Sequence, residues 1–340
     1  MKPTDFSVLL TKYLSEYLPG HRNVSPNTIR SYSDTFRLFL QFCQECKNIS
    51  PDKLVMKSLT VDLIYGFLDW IEQGRGCSIV TRNQRLACIH AFVKYAQPNQ
   101  PENLSELQRI LSITSKKSRQ NSLSFLSINA LNELLKTPDS ETKSGRRDLM
   151  LLTLLYDTGA RVQELIDLSV RDVRTDKPAT IVLHGKGRKV RTVPIMEKTN
   201  NMLINYLTEQ GLFLKPDRLD SPVFSNRQNQ RLTRAGVTYI LKKHIMSAKE
   251  RSDSIYPDKV SPHVLRHTKA MHMLQSNINL IYIRDFLGHV NVSTTEIYAK
   301  ADSETKRKVL EAAYVKAEIP ETSNWGNDKK LMEWLKELSK

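Results

Sequence analysis

Residues 261–298 read SPHVLRHTKAMHMLQSNINLIYIRDFLGHVNVSTTEIY. His263 and Arg266 stand one turn apart in a run of helical character, so their side chains leave the same face of one helix. His267 and His272 follow on that helix. The motif Leu287-Gly288-His289 comes after it, and Ser293-Thr294-Thr295 supplies capping residues for a short further helix that carries Tyr298. Two histidines, an arginine and a phenol are thus set at the ends of neighbouring helices.

Reading outward, Thr158-Gly159-Ala160-Arg161-Val162-Gln163-Glu164-Leu165 follows the strongly apolar helix Leu149 to Tyr156, which stops near Gly159. Arg161 lies just past that break, and Glu164 sits one turn on to hold its guanidinium. The one β signal is the pair Thr180-Ile181-Val182-Leu183 and Arg191-Thr192-Val193-Pro194-Ile195, β-branched runs around the turn His184-Gly185-Lys186-Gly187-Arg188-Lys189. Lys186 stands at the tip of this predicted hairpin, between glycines that let the turn approach a backbone closely. A nucleotide-binding P-loop is not the explanation: Gly-x-x-x-x-Gly-Lys-Ser/Thr is absent, and the turn joins two strands instead of a strand and a helix.

Before residue 114 the chain is helical throughout. Phe6, Leu9, Leu10, Tyr13, Leu14 and Tyr17 keep helical spacing until Pro19-Gly20, where a break is expected. Ser25-Pro26 opens a second helix, with Ser25 as N-cap and an apolar stripe from Ile29 to Cys43. Further helices are expected over Val61–Ile71 and Ile79–Tyr95. A polar, basic stretch from Thr114 to Ser124 has no stripe and reads as a linker. At the other end, Leu331, Trp334, Leu335 and Leu338 share one face after a Pro320–Asn327 spacer.

In order and context, Arg161, Lys186, His263, Arg266, His289 and Tyr298 resemble the tyrosine recombinase (phage-integrase) family, over about residues 8–315. The resemblance implies cutting and rejoining of DNA through a phosphotyrosine. A phosphodiester repels nucleophiles, and cleavage without a metal needs fixed positive charge on its non-bridging oxygens. Arginine suits that role, being always charged and planar. Arg161 and Arg266 are therefore implied to form the clamp, and Lys186 to protonate the leaving 5′-oxygen. His289 would position another non-bridging oxygen. His263 is expected to accept the proton of Tyr298 or bond to the phosphate, and Tyr298 to be the nucleophile. Glu164 and His267 are supporting residues. Ester replaces ester, so no cofactor or catalytic metal is expected. Lys269 stands where family members often carry an apolar residue.

The resemblance implies a mainly α protein with a small antiparallel sheet, arranged as a two-domain, C-shaped DNA clamp. The expected divisions are a helical core-binding (SAM-like) domain at 1–113, a linker at 114–124, a catalytic domain at 125–315 and a tail at 316–340. Polar and basic residues at helix starts suit phosphate and base-edge contacts. Asn27, Thr28, Arg30, Thr81, Arg82, Asn83 and Arg85 are the DNA-contact candidates of the first domain, with Lys116 and Lys117 in the linker and Arg188 in the hairpin. The partner is double-stranded DNA, held by a homotetramer on two sites whose terminal helix, Leu331–Leu338, docks in trans. The first helix already belongs to the bundle, which leaves no space for an extra arm-binding domain and implies simple, short sites. Integration, excision or transposition of a mobile element is the favoured role. Chromosome-multimer resolution and a type IB topoisomerase share the chemistry, and a DNA-binding regulator with vestigial residues is the rival of another class.

Composition agrees with a polyanion as partner. The 340 residues carry a net charge of +15, and residues 114–300 hold 30 of the 51 Lys and Arg against 18 of the 36 Asp and Glu. Such a field favours nucleic acid, with binding that weakens steeply as salt rises. No apolar run reaches membrane-span length, and Met1-Lys2-Pro3-Thr4-Asp5 lacks a signal segment, so a cytoplasmic protein is expected. Four cysteines make no disulfide framework at this length. Cys43-x-x-Cys46 lacks a second close pair, and Cys43 lies on an apolar stripe, so a zinc site is not expected. Nothing resembles the carboxylate cluster of a two-metal nuclease.

Overall fold

Hydroxyl side chains open most of the helices that build the first unit. In the computed structural model, which describes residues 3–118, 123–185, 189–252, 254–258, 260–289, 293–301, 333–334 and 336–338, α1 (Asp5–Lys12) begins under Thr4 and α2 (Pro26–Lys47) under Ser25. Thr60 caps α3 (Val61–Asp69) and Ser78 caps α4 (Ile79–Ala96). In each case the side-chain oxygen accepts the N–H three residues on, satisfying a donor that has no partner inside the helix. α5 (Leu104–Leu111) completes the unit, which spans Met1–Asn121. Lys186, Arg188, the Pro320–Asn327 spacer, Leu331 and Leu335 lie outside the described residues.

The expected break at Pro19-Gly20 does not occur there. The chain continues beyond α1 as a π-helical stretch, Tyr13–His21, in which the Arg22 N–H donates to the Tyr17 carbonyl at 2.9 Å. The wider turn tolerates a residue that has no N–H of its own. The core of this unit is aromatic: Phe36 meets Phe92 edge-on at 5.0 Å, and Phe39 meets Phe67 at 5.3 Å. Such pairs add about 0.5–1.5 kcal/mol each beyond their burial. Cys43 is part of this core, whereas Cys46 is exposed.

The second unit spans Ser122–Lys340. It contains α6 (Ile128–Leu135), α7 (Lys143–Asp157) and α8 (Val162–Asp167), then strands β1 (Val173–Arg174), β2 (Thr180–His184) and β3 (Val190–Pro194). These are followed by α9 (Glu197–Glu209), α10 (Arg234–Arg251), α11 (His263–Gln275), α12 (Leu280–Leu287) and α13 (Ser293–Ala301). The sheet is antiparallel in the order β1-β2-β3. Two residues are too few to show a period of two, which is why β1 was not foreseen. Ile181, Leu183 and Val193 point inward, where they join Leu151, Leu154 and Leu155 of α7, Leu203, Leu241 and Leu265. Each such side chain contributes about 1.5–3 kcal/mol on burial. Pairing of His184 with Val190 brings the Gly185 N–H to 2.7 Å from the Lys189 carbonyl and closes the hairpin turn. Among the described residues, no helix is long and apolar enough to cross a membrane.

The polypeptide entering the second unit is fastened to α11. The Leu126 N–H donates to the Thr268 hydroxyl at 2.9 Å, and His272 donates from Nε2 to the Leu126 carbonyl at 3.0 Å. With Nε2 protonated, Nδ1 of a neutral ring accepts from the Tyr156 hydroxyl at 3.0 Å. Burial lowers the His272 pKa, in keeping with that neutral form. His272 therefore anchors the chain and lies apart from the residues at the start of the same helix.

Candidate active site

Four chain segments meet where α7 ends. Gly159 adopts φ +56°, which strains any other residue, and a Cβ there would stand 2.7 Å from Leu287 Cδ2, so a side chain would force Leu287 of α12 to shift. The turn that follows delivers Arg161 as the N-cap residue of α8. Arg161 donates through Nη1 to Glu164 Oε1 at 2.7 Å and through Nη2 to the Gly288 carbonyl at 3.4 Å, and its side chain remains 33% exposed. Glu164 also accepts the Arg161 backbone N–H at 2.8 Å, fixing the start of α8.

Arg266 enters from α11 and is 3% exposed. It donates to the carbonyls of Gly159 and Leu287 at 2.6 and 2.7 Å, bridging the ends of α7 and α12. Burial, together with the charges of Arg161 and Arg191, lowers its pKa to about 10, so it stays protonated at neutral pH. A third arginine was missed from sequence. Arg191 of β3 donates to both oxygens of Glu164 at 2.9 and 2.8 Å and from Nε to the Phe286 carbonyl at 3.1 Å. Burial pushes the Glu164 carboxyl up, but bonds from Arg191 and Arg161 outweigh this and hold it below its usual range. The signal could not be local, because Arg191 lies in a strand far in sequence from both partners.

The phenol of Tyr298 is buried, at 1% exposure. Its hydroxyl is 3.0 Å from His267 Nδ1, and the His289 ring stacks on it at 6.3 Å between centroids. His289 is hydrogen-bonded in turn through Nδ1 to Thr295 Oγ1 at 2.9 Å. His263 is exposed at the start of α11, its ring 6.2 Å from that of His267. His267, one turn further on and on the same face as His263, is the ring that meets the Tyr298 hydroxyl, while His263, expected as its proton acceptor or as a partner of the phosphate, lies against His267. Burial raises the Tyr298 pKa, and the charges of Arg266 and Arg161 offset this only in part. Arg161, His263, Arg266, His289 and Tyr298 are gathered here with Glu164 and His267. Gly185, which precedes Lys186, would carry a Cβ 3.2 Å from Glu164 Oε1, so the hairpin enters its turn beside the same carboxylate.

His267 and His289 both have pKa values lowered to about 4 from 6.5, first by burial. For His267 the neighbouring His263 and Arg266 add to this, and for His289 the charges of Arg266 and Arg161 do. Their neutral forms belong to the folded state, and unfolding lets each take up a proton below its ordinary pKa. The stability they contribute is present above about pH 6.5 and is lost as pH falls toward about 4. The melting temperature should decline through that window, and less steeply in a His267→Asn variant. Equal slopes for the two proteins would contradict the assignment.

In the first unit, the starts of α2 and α4 lie together. Gln84 donates to the Ser31 hydroxyl at 3.1 Å, and Arg85 donates to the Ser31 carbonyl and Thr35 Oγ1 at 3.2 and 2.9 Å. Asn27 and Arg30 are exposed, while Thr28 and Thr81 are half-buried beside the capping serines. Arg82 departs from its expected role: it is 2% exposed, lies 3.6 Å from Glu72 and donates through Nη1 to Asn83 Oδ1 at 3.2 Å, so its guanidinium is turned into the unit. Asn83 exchanges bonds with the Lys116 backbone, and Lys116 Nζ pairs with Glu72 at 2.7 Å. Lys117 is exposed.

With this geometry in hand, the likenesses to known proteins are specific. Residues 124–305 match the model of the phage integrase family, and residues 10–100 match that of the phage integrase N-terminal SAM-like domain. The Sinorhizobium fredii protein named "Putative integrase/recombinase y4rC" is 36% identical over 91% of this chain and 92% of its own length. Tyrosine recombinase XerC of Bacillus pumilus is 30% identical over 89% of this chain and 95% of its own. Among solved structures, the XerH recombinase bound to palindromic difH substrate superposes with a TM-score of 0.66 at 23% identity, covering 89% of this chain and 84% of that one. The Tn1549 transposon integrase in complex with transposon right end DNA gives 0.67 at 14% identity, covering 88% and 98%. These last two likenesses show a shared fold.

Proposed function

Because the chain belongs to the phage integrase family, the tyrosine recombinases, we propose that it cuts and rejoins DNA at specific sites through a covalent bond between Tyr298 and a 3′-phosphate. The observation that carries this reading is the convergence of Arg161 and Arg266 with His267, His289 and a buried phenol. Tyr298 Oη attacks the scissile phosphorus, the P–O5′ bond breaks, and the phenolic proton passes to a histidine of α11. Lys186 gives a proton to the departing 5′-oxygen. Arg161 and Arg266 hold the non-bridging oxygens as charge grows on them, an effect that fixed donors supply without reorganisation. A 5′-hydroxyl from a partner strand then reverses the step. One phosphodiester bond replaces another, so the exchange needs no external energy source.

The phenol lies against His267, and burial favours its neutral form, so attack requires that its proton be taken up by a neighbouring base. The exposed starts of α2 and α4, with Asn27, Arg30 and Lys117, are read as the DNA face of the first unit. Trp334 and Leu338 are 56% and 65% exposed. We read them as the apolar face that docks on a neighbouring copy, giving a homotetramer on two DNA sites. Identity is higher to the integrase/recombinase relative than to XerC, which favours integration or excision of a mobile element over resolution of chromosome multimers.

The test uses duplexes from the DNA flanking this gene, each nicked so that a cleaved fragment escapes. After incubation in EDTA and denaturation, a protease-sensitive protein–DNA band at one position is expected. Tight DNA binding without any such band would sink the proposal in favour of a DNA-binding regulator.

A further inference from the structure

Glu164 poses a difficulty for a phosphate clamp. It is an anion only 3% exposed, within 2.7 Å of the guanidinium that has to bind another anion. Left alone, its two oxygens would take Arg161 in a bidentate pair, the geometry a carboxylate prefers, and turn its donors from the substrate. Arg191 prevents this by engaging both oxygens, at 2.9 and 2.8 Å. Arg161 then keeps a single side-chain bond to the carboxylate, through Nη1, while its Nη2 makes only a long 3.4 Å bond to the Gly288 carbonyl. The two arginines differ in reach: the Arg161 side chain is 33% exposed and that of Arg191 is 12%.

Arg191 also crosses between elements. Its Nε donates to the Phe286 carbonyl at 3.1 Å, and a Cβ on Gly288 would stand 3.0 Å from its Cδ, so it lies against the segment that ends in His289. It sits in β3, paired with the strand that leads to Lys186. One side chain thus ties α8, the hairpin and the end of α12 to a common carboxylate.

We propose that Arg191 is a positioning residue for DNA cleavage: by saturating Glu164 it leaves Arg161 with one side-chain bond to the carboxylate and its Nη2 off that carboxylate, for the scissile phosphate. This rests on the recombinase reading above. Arg191 acts through Arg161 and Glu164 and does not itself touch the DNA.

The test compares wild-type protein, Arg191→Gln, Glu164→Gln and the Arg191→Gln/Glu164→Gln double variant by the rate of covalent adduct formation on the nicked duplex. Arg191→Gln should slow the rate by about 100-fold, the scale of losing a residue that orients a binding group. The double variant should regain at least about 10-fold of that loss, because the competing carboxylate charge is gone. It also removes the buried carboxylate charge that Arg191→Gln leaves with one guanidinium instead of two, so it reports even if Arg191→Gln fails to fold. A double variant no faster than Arg191→Gln, or an Arg191→Gln variant as fast as wild type, would overturn the proposal. A second readout separates it from the recombinase reading: inorganic phosphate should raise the melting temperature of wild type and of the double variant more than that of Arg191→Gln. If wild type forms no adduct yet this order of phosphate shifts holds, cleavage fails as a reading, while the part of the proposal in which Arg191 keeps Arg161 free to bind a phosphate stands. If the order is absent, the positioning role falls.

Discussion

Tyr298→Phe should form no covalent adduct on any duplex while keeping its fold and its affinity for DNA. The two halves of this expectation have separate physical grounds. A phenyl ring has no oxygen to attack phosphorus, so the loss should reach the detection limit and no change of pH should restore it. The ring itself stays useful, because it fills the small cluster formed with Ala270, Met271, Ile283 and Leu287. The structural loss is a single hydrogen bond, the one to His267 at 3.0 Å. Deleting it costs about 0.5–1.5 kcal/mol, little against the stability of a unit with so extensive a core. The measurements are a denaturing gel for the adduct, a melting curve for the fold and a mobility shift for DNA binding. An adduct that survives the substitution would remove Tyr298 from the role of nucleophile and direct attention to exposed phenols such as Tyr282, which is 59% exposed.

How far each residue could be read from sequence follows the range of the interaction that defines it. Ser25 was legible, because a cap acts on an N–H three residues away. The pairing of Arg161 with Glu164 was legible for the same reason. The gathering of Arg161, Arg266, His289 and Tyr298 was anticipated from their order and contexts through family resemblance, since nothing in their spacing alone brings residue 161 to residue 288. Arg191 was hidden: in a β-branched run it reads as an ordinary strand residue, and its partners Glu164 and Phe286 are supplied only by the tertiary fold. The choice between His263 and His267 as partner of the phenol was also closed to sequence. Both lie on one helix face, and the direction from which α13 arrives decides between them. Arg82 illustrates the opposite error, since a basic residue at a helix start suggests a phosphate contact until Glu72 is found across from it.

Arg266→Ala should produce the other large effect, and it should damage stability and cleavage together. The Arg266 guanidinium is the partner of two backbone carbonyls, of Gly159 and Leu287, at a site with almost no access to water. Removing it leaves both acceptors without that donor and opens space between the ends of α7 and α12. Hydrogen bonds to charged groups are worth about 1.5–3 kcal/mol each, so a loss of roughly 3–5 kcal/mol is expected. In a unit of this size that lowers the melting temperature by roughly 10 °C. A partial offset comes from charge: burial first, and then crowding by Arg161 and Arg191, lowers the Arg266 pKa, and its removal relieves that repulsion. The same repulsion makes the centre receptive to an anion, so DNA should stabilise wild type more than Arg266→Ala. Cleavage should fall by about 10²–10³-fold or more, the usual scale for losing one donor to a charge that develops in the transition state. Arg266→Lys separates the two effects. A single ammonium keeps the charge but lacks the fork that spans both carbonyls, so it should recover part of the stability and less of the cleavage. An Arg266→Ala protein that melts like wild type would show that the two carbonyls do not depend on this guanidinium. The join between α7 and α12 would then have to rest on packing at Gly159 and Leu287 alone.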